Sequence, residues 1–312
     1  MKTRIAAFLL MFSLISVGVG QAAQEDSVKV ASQNPSPMSE TTRKHERIQQ
    51  KEYPGVAFEI RDFFSKPLQV FVPQKSIKSR TYDLHIHFHG GASFVTNYSA
   101  TKYRGDLIAA TLSVGSGSKI YNDQFKDTTK FSALVDTILA ETKARLGHGF
   151  RLRHVILSGF SAGWGAIRKI ISTETNYSRV DAVLLLDGLH ASYIPDRKVL
   201  ADGGRIDSTG LLPYVKLAQD AITKKSHKRF LITHSEVFPG TFVSTTETTD
   251  FLLRTLSLKR TTVLRWGPLG MQQLSYGRKN HFELLGFAGN SGPDHIDHLH
   301  GLYWFLNRLL TL

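Results

Sequence analysis

The chain has 312 residues, and its 39 Lys and Arg outnumber 26 Asp and Glu for a formal net charge of +13. With 41 % hydrophobic and 21 % charged residues it is an ordinary globular mix, which excludes collagen-like, coiled-coil and wholly disordered chains. It has no Cys, which excludes disulfides, thiolate chemistry and a lipid anchor on Cys; a domain this large buries enough surface without such staples.

The N-terminus reads as a secretory signal over 1–23. Lys2 and Arg4 give a basic start, 5–19 is apolar, and Gly20, Ala22 and Ala23 supply the small residues that a signal peptidase needs. The apolar stretch is short for a membrane span, and no later segment reaches that length. The expected location is therefore secreted or periplasmic. Residues 24–55 are polar, contain Pro35 and Pro37, and are expected to form a flexible leader. Globular patterning begins near Val56, so 56–312 is read as one domain.

From there strands and helices alternate. Segments 56–62 and 68–73 read as an opening pair of strands, and 82–88 as a strand that runs into His89-Gly90-Gly91. A strand at 107–114 is followed by a helix at 131–146, where Phe131, Leu134, Val135 and Ile138 recur at helical spacing. A short buried strand at 155–160 leads directly into a helix at 162–171. The apolar run 182–186 is a central strand buried on both faces. Next come a helix at 211–222, a strand at 230–233, a helix at 248–258, a strand or connector at 261–266, a strand at 282–287 and a closing helix at 296–310. Such alternation predicts an α/β fold: a mostly parallel central sheet flanked by helices on both faces, with sites along the carboxyl edge of the strands.

The basic residues are scattered and gather only in small clusters such as Lys224, Lys225, Lys228 and Arg229. The excess charge favours an anionic surface or polymer, but no interleaving of Arg with aromatics suggests a nucleic-acid track.

The strongest chemical signal is Gly159-Phe160-Ser161-Ala162-Gly163, at the junction of a strand and a helix. A serine on such a turn is held in a strained conformation with its hydroxyl exposed at the sheet edge, and small neighbours let the two elements pass closely. With the His-Gly-Gly turn about seventy residues upstream and histidines before the last helix, the sequence resembles the α/β-hydrolase superfamily over nearly all of 56–312, most closely its esterase and lipase-like members. The resemblance implies a serine hydrolase that cleaves an ester, less readily an amide, through a covalent acyl-enzyme. Its substrate would be a small-molecule or polysaccharide ester.

Ser161 would be the nucleophile. The resemblance places one backbone donor of the oxyanion hole at Gly91 or Ala92 and the other at Ala162. The base would come from Asp294-His295-Ile296-Asp297-His298-Leu299-His300. His298 is taken before His295, which is expected on the far side of the turn, and His300 is expected within the helix. The acid would be Asp187 or Glu236. Asp187 is taken first, because a lone carboxylate at the end of an apolar strand is costly to bury unless paired. Phe94, Tyr98, Tyr103 and Trp164 are candidates for either a pocket lining or the core.

Two other readings compete. His85, His87 and His89 alternate along one strand and would project from one face, a spacing that could present imidazoles to Zn²⁺ in a metal-dependent hydrolase, with Asp294 or Asp297 completing the site. No His-Glu-x-x-His helix accompanies them. A non-catalytic binding protein on the same scaffold is the third reading. The serine mechanism calls for no cofactor and no metal.

Overall fold

The computed structural model describes residues 48–90 and 93–312. The expected signal at 1–23 and most of the leader at 24–55 lie outside the described residues, as do Gly91 and Ala92. Within the leader's described end, Ile48 is buried and Tyr53 packs on Tyr98, so ordered packing begins before Val56.

In chain order the strands are β1 (Gly55–Ile60), β2 (Leu68–Pro73), β3 (Thr81–Phe88), β4 (Leu107–Leu112), β5 (Arg151–Phe160), β6 (Ala182–Leu186), β7 (Tyr193–Ile194), β8 (Arg205–Ile206), β9 (Arg229–His234), β10 (Thr261–Trp266), β11 (Gln272–Lys279) and β12 (Phe282–Phe287). The helices are α1 (Ser93–Lys102), α2 (Ser118–Asp123), α3 (Lys130–Leu146), α4 (Trp164–Ile171), α5 (Glu174–Arg179), α6 (Leu212–Ala221), α7 (Thr245–Thr255), α8 (Gly292–His300) and α9 (Leu302–Leu309). Strands β7 and β8 pair with each other; the other ten form one sheet in the order β1-β2-β4-β3-β5-β6-β9-β12-β11-β10. The six strands from β4 to β12 in that order run parallel, and antiparallel pairs extend both edges.

The period of two in a strand divides the core. Leu84, Ile86, Leu157, Val183, Leu185 and Ile232 face one layer with Leu134, Ile138, Ile167 and Tyr214 of α3, α4 and α6. Ile156, Leu184, Leu186, Leu231 and Leu285 face the other with Val95, Leu299, Phe305 and Leu309 of α1, α8 and α9. All five residues of β6 are buried, as its continuous apolar sequence requires when helices cover both faces.

After β3 the chain steps outward to β4, then returns to lay β5 on the other side of β3. This reversal opens a crevice at the carboxyl ends of β3 and β5, where open α/β sheets form their sites.

Besides the short elements α2, α5, β7 and β8, two longer ones were hidden from pattern reading and one was read with the wrong extent. Helix α1 buries Thr96 and Ser99 beside Val95 and Ala100; Ser99 donates to the Val95 carbonyl at 2.7 Å, and Thr96 shares a 2.6 Å hydrogen bond with Thr111. Polar residues thus occupy its inner face and erase the hydrophobic period. Strand β11 turns Gln273, Ser275 and Gly277 inward, which hides its alternation in the same way. The closing helix proves to be two: α8 starts at Gly292 under a Ser291–Asp294 capping box with Pro293 in its first turn, and α9 follows at Leu302. His295 and His298 therefore lie on a helix and not on a loop before one. Among the described residues, no helix is long and apolar enough to cross a membrane.

Candidate active site

Ser161 follows the last residue of β5 and opens a single 3₁₀ turn, Ser161–Gly163, that runs into α4. Its φ of +46° lies in the left-handed region, which costs an L-residue roughly 1 kcal/mol or more. The close packing of the turn maintains this conformation. A Cβ on Gly163 would lie 2.1 Å from the Phe88 carbonyl oxygen, and one on Gly188 would lie 2.7 Å from the Ser161 nitrogen. Strand β3, the 3₁₀ turn and the loop after β6 are therefore backbone against backbone around this serine.

Asp187, just past β6, also has a positive φ, +44°. Its side chain is wholly buried, and its two oxygens accept four hydrogen bonds. Oδ1 accepts from the Ser235 amide at 2.9 Å and the Thr245 hydroxyl at 2.5 Å; Oδ2 accepts from the Ser235 hydroxyl at 2.5 Å and from His295 Nδ1–H at 2.7 Å. Burial alone would raise the pKa of this carboxyl. The neighbouring His298 and His295, with the hydrogen bonds from His295 and Ser235, outweigh burial and hold it well below the usual carboxylate range. The carboxylate fixes the His295 tautomer, with the proton on Nδ1 and a lone pair on Nε2. Nε2 is buried without a hydrogen-bond partner among the described residues. The His295 ring packs on Phe160, the residue before Ser161, with ring centroids 4.4 Å apart.

The order of preference between the two histidines changes on this geometry. His298 Nδ1 pairs with Thr233 Oγ1 at 2.7 Å, and its ring lies against Phe287 and Phe305. Burial pushes its pKa down to about 4. His300 is buried too, with Phe94 at its ring edge. In α8, positions 295 and 298 are three residues apart and both turn inward, but the earlier one meets the carboxylate. Glu236 is exposed and touches the Gly289 amide at 3.4 Å, away from either imidazole. The residue before it, Ser235, is the one that turns inward to Asp187.

The histidine strand does not converge. His85 Nε2 and His87 Nδ1 share the Ser158 hydroxyl at 2.7 and 2.6 Å, both wholly buried. His89 lies past the strand end with φ +72°, so it leaves the face of the other two; its Nδ1 meets Tyr121 Oη at 2.9 Å and the Gly115 carbonyl at 3.1 Å. Among the described residues, no three His, Cys, Asp or Glu side chains gather where they could hold a metal ion.

Ser161 opens onto a cavity of about 570 Å³, within the size range of small-molecule sites. Its walls come from His89 after β3, Gly117 and Ser118 at the start of α2, Ala162, Trp164 and Arg168 of the turn and α4, His190 after β6, and Asp207 and Phe242 from later loops. Of the aromatic candidates, Trp164 is in this wall. Tyr103 is instead buried, donating to Asp83 at 2.6 Å, and Tyr98 packs between Tyr53 and, edge-on, Tyr303. Sequence reading missed the partners of Asp187. One signal was available: Ser244-Thr245-Thr246-Glu247 is a capping box, and it fixes the start of α7 where Thr245 reaches the carboxylate.

The sheet order, the turn at Ser161 and the parallel strands that position both define the class of scaffold: the chain has the α/β-hydrolase fold. In sequence it matches no protein-family model and no curated protein. In structure it is similar to the enterobactin esterase of Shigella flexneri, solved in the presence of enterobactin, at a TM-score of 0.51 and 13 % identity, over 85 % of this chain and 60 % of that one. It is also similar to the ferric enterobactin esterase of Salmonella typhimurium (TM-score 0.49, 11 % identity, 85 % and 60 % covered). A thermophilic esterase of Thermogutta terrifontis is a third (TM-score 0.45, 17 % identity, 85 % and 96 % covered). The chain spans about three fifths of the length of the two enterobactin esterases.

Proposed function

We propose that the protein is a serine hydrolase that cleaves carboxylic esters, with Ser161 as nucleophile, His295 as base and Asp187 as the orienting acid. One observation carries this reading. A serine held at positive φ on a strand–helix turn lies next in sequence to a ring packed on the imidazole of a buried Asp–His pair, and among the described residues that imidazole keeps a bare Nε2.

In the proposed reaction the Ser161 hydroxyl attacks the ester carbonyl and His295 Nε2 takes its proton. Asp187 then stabilises the imidazolium without itself being protonated. The amide of Ala162 and one from Gly91 or Ala92 receive the oxyanion; a donor of this kind contributes roughly 3 kcal/mol to the transition state. The proton returns to the departing alcohol, and water, activated by the same imidazole, releases the acyl group. The unpartnered Nε2 fits a resting site in which the serine–histidine hydrogen bond tightens on substrate binding.

A fluorophosphonate probe tests this directly. It is expected to label Ser161 in the wild type, and neither Ser161→Ala nor His295→Ala; an unlabelled, correctly folded wild type would overturn the proposal. Activity should also survive exhaustive EDTA treatment. Export is proposed on the sequence of 1–23 alone, and N-terminal sequencing of the mature protein checks it: a start near residue 23 supports export, and an intact Met1 opposes it.

A further inference from the structure

We infer that the cavity beside Ser161 is built for a polyhydroxylated, sugar-like ring and not for an alkyl chain, so the ester cleaved is one borne by a carbohydrate. This rests on the reading of Ser161 as nucleophile. The cavity wall carries hydrogen-bonding groups that the protein leaves partly unused. Arg168 makes no ion pair among the described residues; it lies over the Trp164 ring at 4.8 Å and spends one N–H on Asn122 Oδ1 at 2.9 Å. Asp207 has no cation within ion-pair range among the described residues, and its Oδ1 accepts from the Thr209 amide at 3.0 Å. His190 donates Nδ1–H to the Val243 carbonyl at 3.1 Å, which leaves Nε2 as an acceptor, buried and without a partner among the described residues. Ser118 adds a half-buried hydroxyl.

The charges of Arg168 and Asp207 offset each other, so the wall selects neither a net anion nor a net cation. What it offers is donors and acceptors together. A hydroxyl both donates and accepts, and a ring bearing several of them satisfies Arg168, Asp207 and His190 at once. An alkyl chain in the same space would strip water from these groups and return nothing, so each polar group left unpaired weighs against it. Phe242, half-buried in the wall, gives the ring an apolar face to rest against.

The experiment compares two acetates of the same ring size: methyl 6-O-acetyl-glucopyranoside and cyclohexylmethyl acetate. The wild type should favour the sugar ester by roughly 100-fold or more in kcat/KM, as expected of a site built to hydrogen-bond hydroxyls. That ratio should fall at least about tenfold in Asp207→Asn and in Arg168→Gln. A ratio near one in the wild type, or one that neither substitution changes, overturns the inference. Saturation-transfer NMR on Ser161→Ala separates it from the catalytic reading. If the wild type hydrolyses neither ester while Ser161→Ala binds the sugar and not the cyclohexyl compound, the serine mechanism fails and the sugar pocket stands. If the sugar ester does not bind, the pocket assignment fails whatever the chemistry.

Discussion

Replacing Asp187 by Asn changes little in shape and much in hydrogen bonding. The carboxylate accepts from four donors: the Ser235 amide and hydroxyl, the Thr245 hydroxyl and His295 Nδ1–H. An Asn amide offers one oxygen and one NH₂ group, so N–H faces donors on one side. If the NH₂ points at His295, the imidazole must shift its proton to Nε2 and can no longer accept one from Ser161. The expected loss is about 10⁴ in kcat, roughly 5.5 kcal/mol of transition-state stabilisation. If the NH₂ points at Ser235 and Thr245 instead, buried donors there lose their acceptor, at a cost of about 1–3 kcal/mol. For a domain of this size each kcal/mol lowers Tm by about 2–4 °C. The assay pairs p-nitrophenyl acetate turnover with thermal unfolding. A folded Asp187→Asn protein that keeps more than about a tenth of wild-type kcat and also unfolds at the wild-type temperature would refute the assignment. Glu236→Gln, on the surface, should stay within about twofold of wild type.

The neighbouring histidines should separate in the same assay. His295→Ala should lose at least about 10⁴ in kcat, whereas His298→Asn should lose less than about tenfold and show its effect chiefly in Tm, through the contact with Thr233; equal losses in both would leave the base unassigned. Two inactive variants probe the strained turn. Because φ at 161 is +46°, Ser161→Gly should be more stable than Ser161→Ala by roughly 1 kcal/mol in urea unfolding, and equal stabilities would mean that the turn is not strained. Stability should also fall steeply with acid. Burial pushes His190, His234 and His298 down to about 4 and His87 to about 3, so each binds a proton on unfolding but not while folded between pH 6.5 and those values. Stability from these groups is complete above pH 6.5 and declines as pH drops, by up to about 1.4 kcal/mol per pH unit for each. Urea midpoints measured from pH 7 to 5 test this, and a flat profile would contradict the burial of these rings.

The fold was legible because its central strands are buried on both faces and carry that fact as unbroken apolar runs; Ala182–Leu186 is the plainest. The turn at Ser161 was legible because glycines bracket it at 159 and 163. Which of the two histidines meets Asp187 was not. It depends on where α8 starts, and Ser291, Pro293 and Asp294 set that start four residues before the apolar pattern suggested. The strand–helix register then decides which imidazole meets Asp187, a three-dimensional relation that spacing alone does not encode. The cavity was hidden for a similar reason. Arg168, His190, Asp207 and Phe242 come from four separate stretches of chain, and none belongs to a recognisable motif.

The tight approaches at Gly163 and Gly188 have a consequence for redesign. Neither position has clearance for even a methyl group, so mutagenesis there will return glycine or an unfolded protein. The far walls of the cavity are under no such restriction: Ser192 is exposed, and Phe242 is half-buried on the loop between β9 and α7. Selection for new substrates thus has a turn it cannot touch and a rim it can rewrite, and libraries spent on the rim should yield most of the accessible variety.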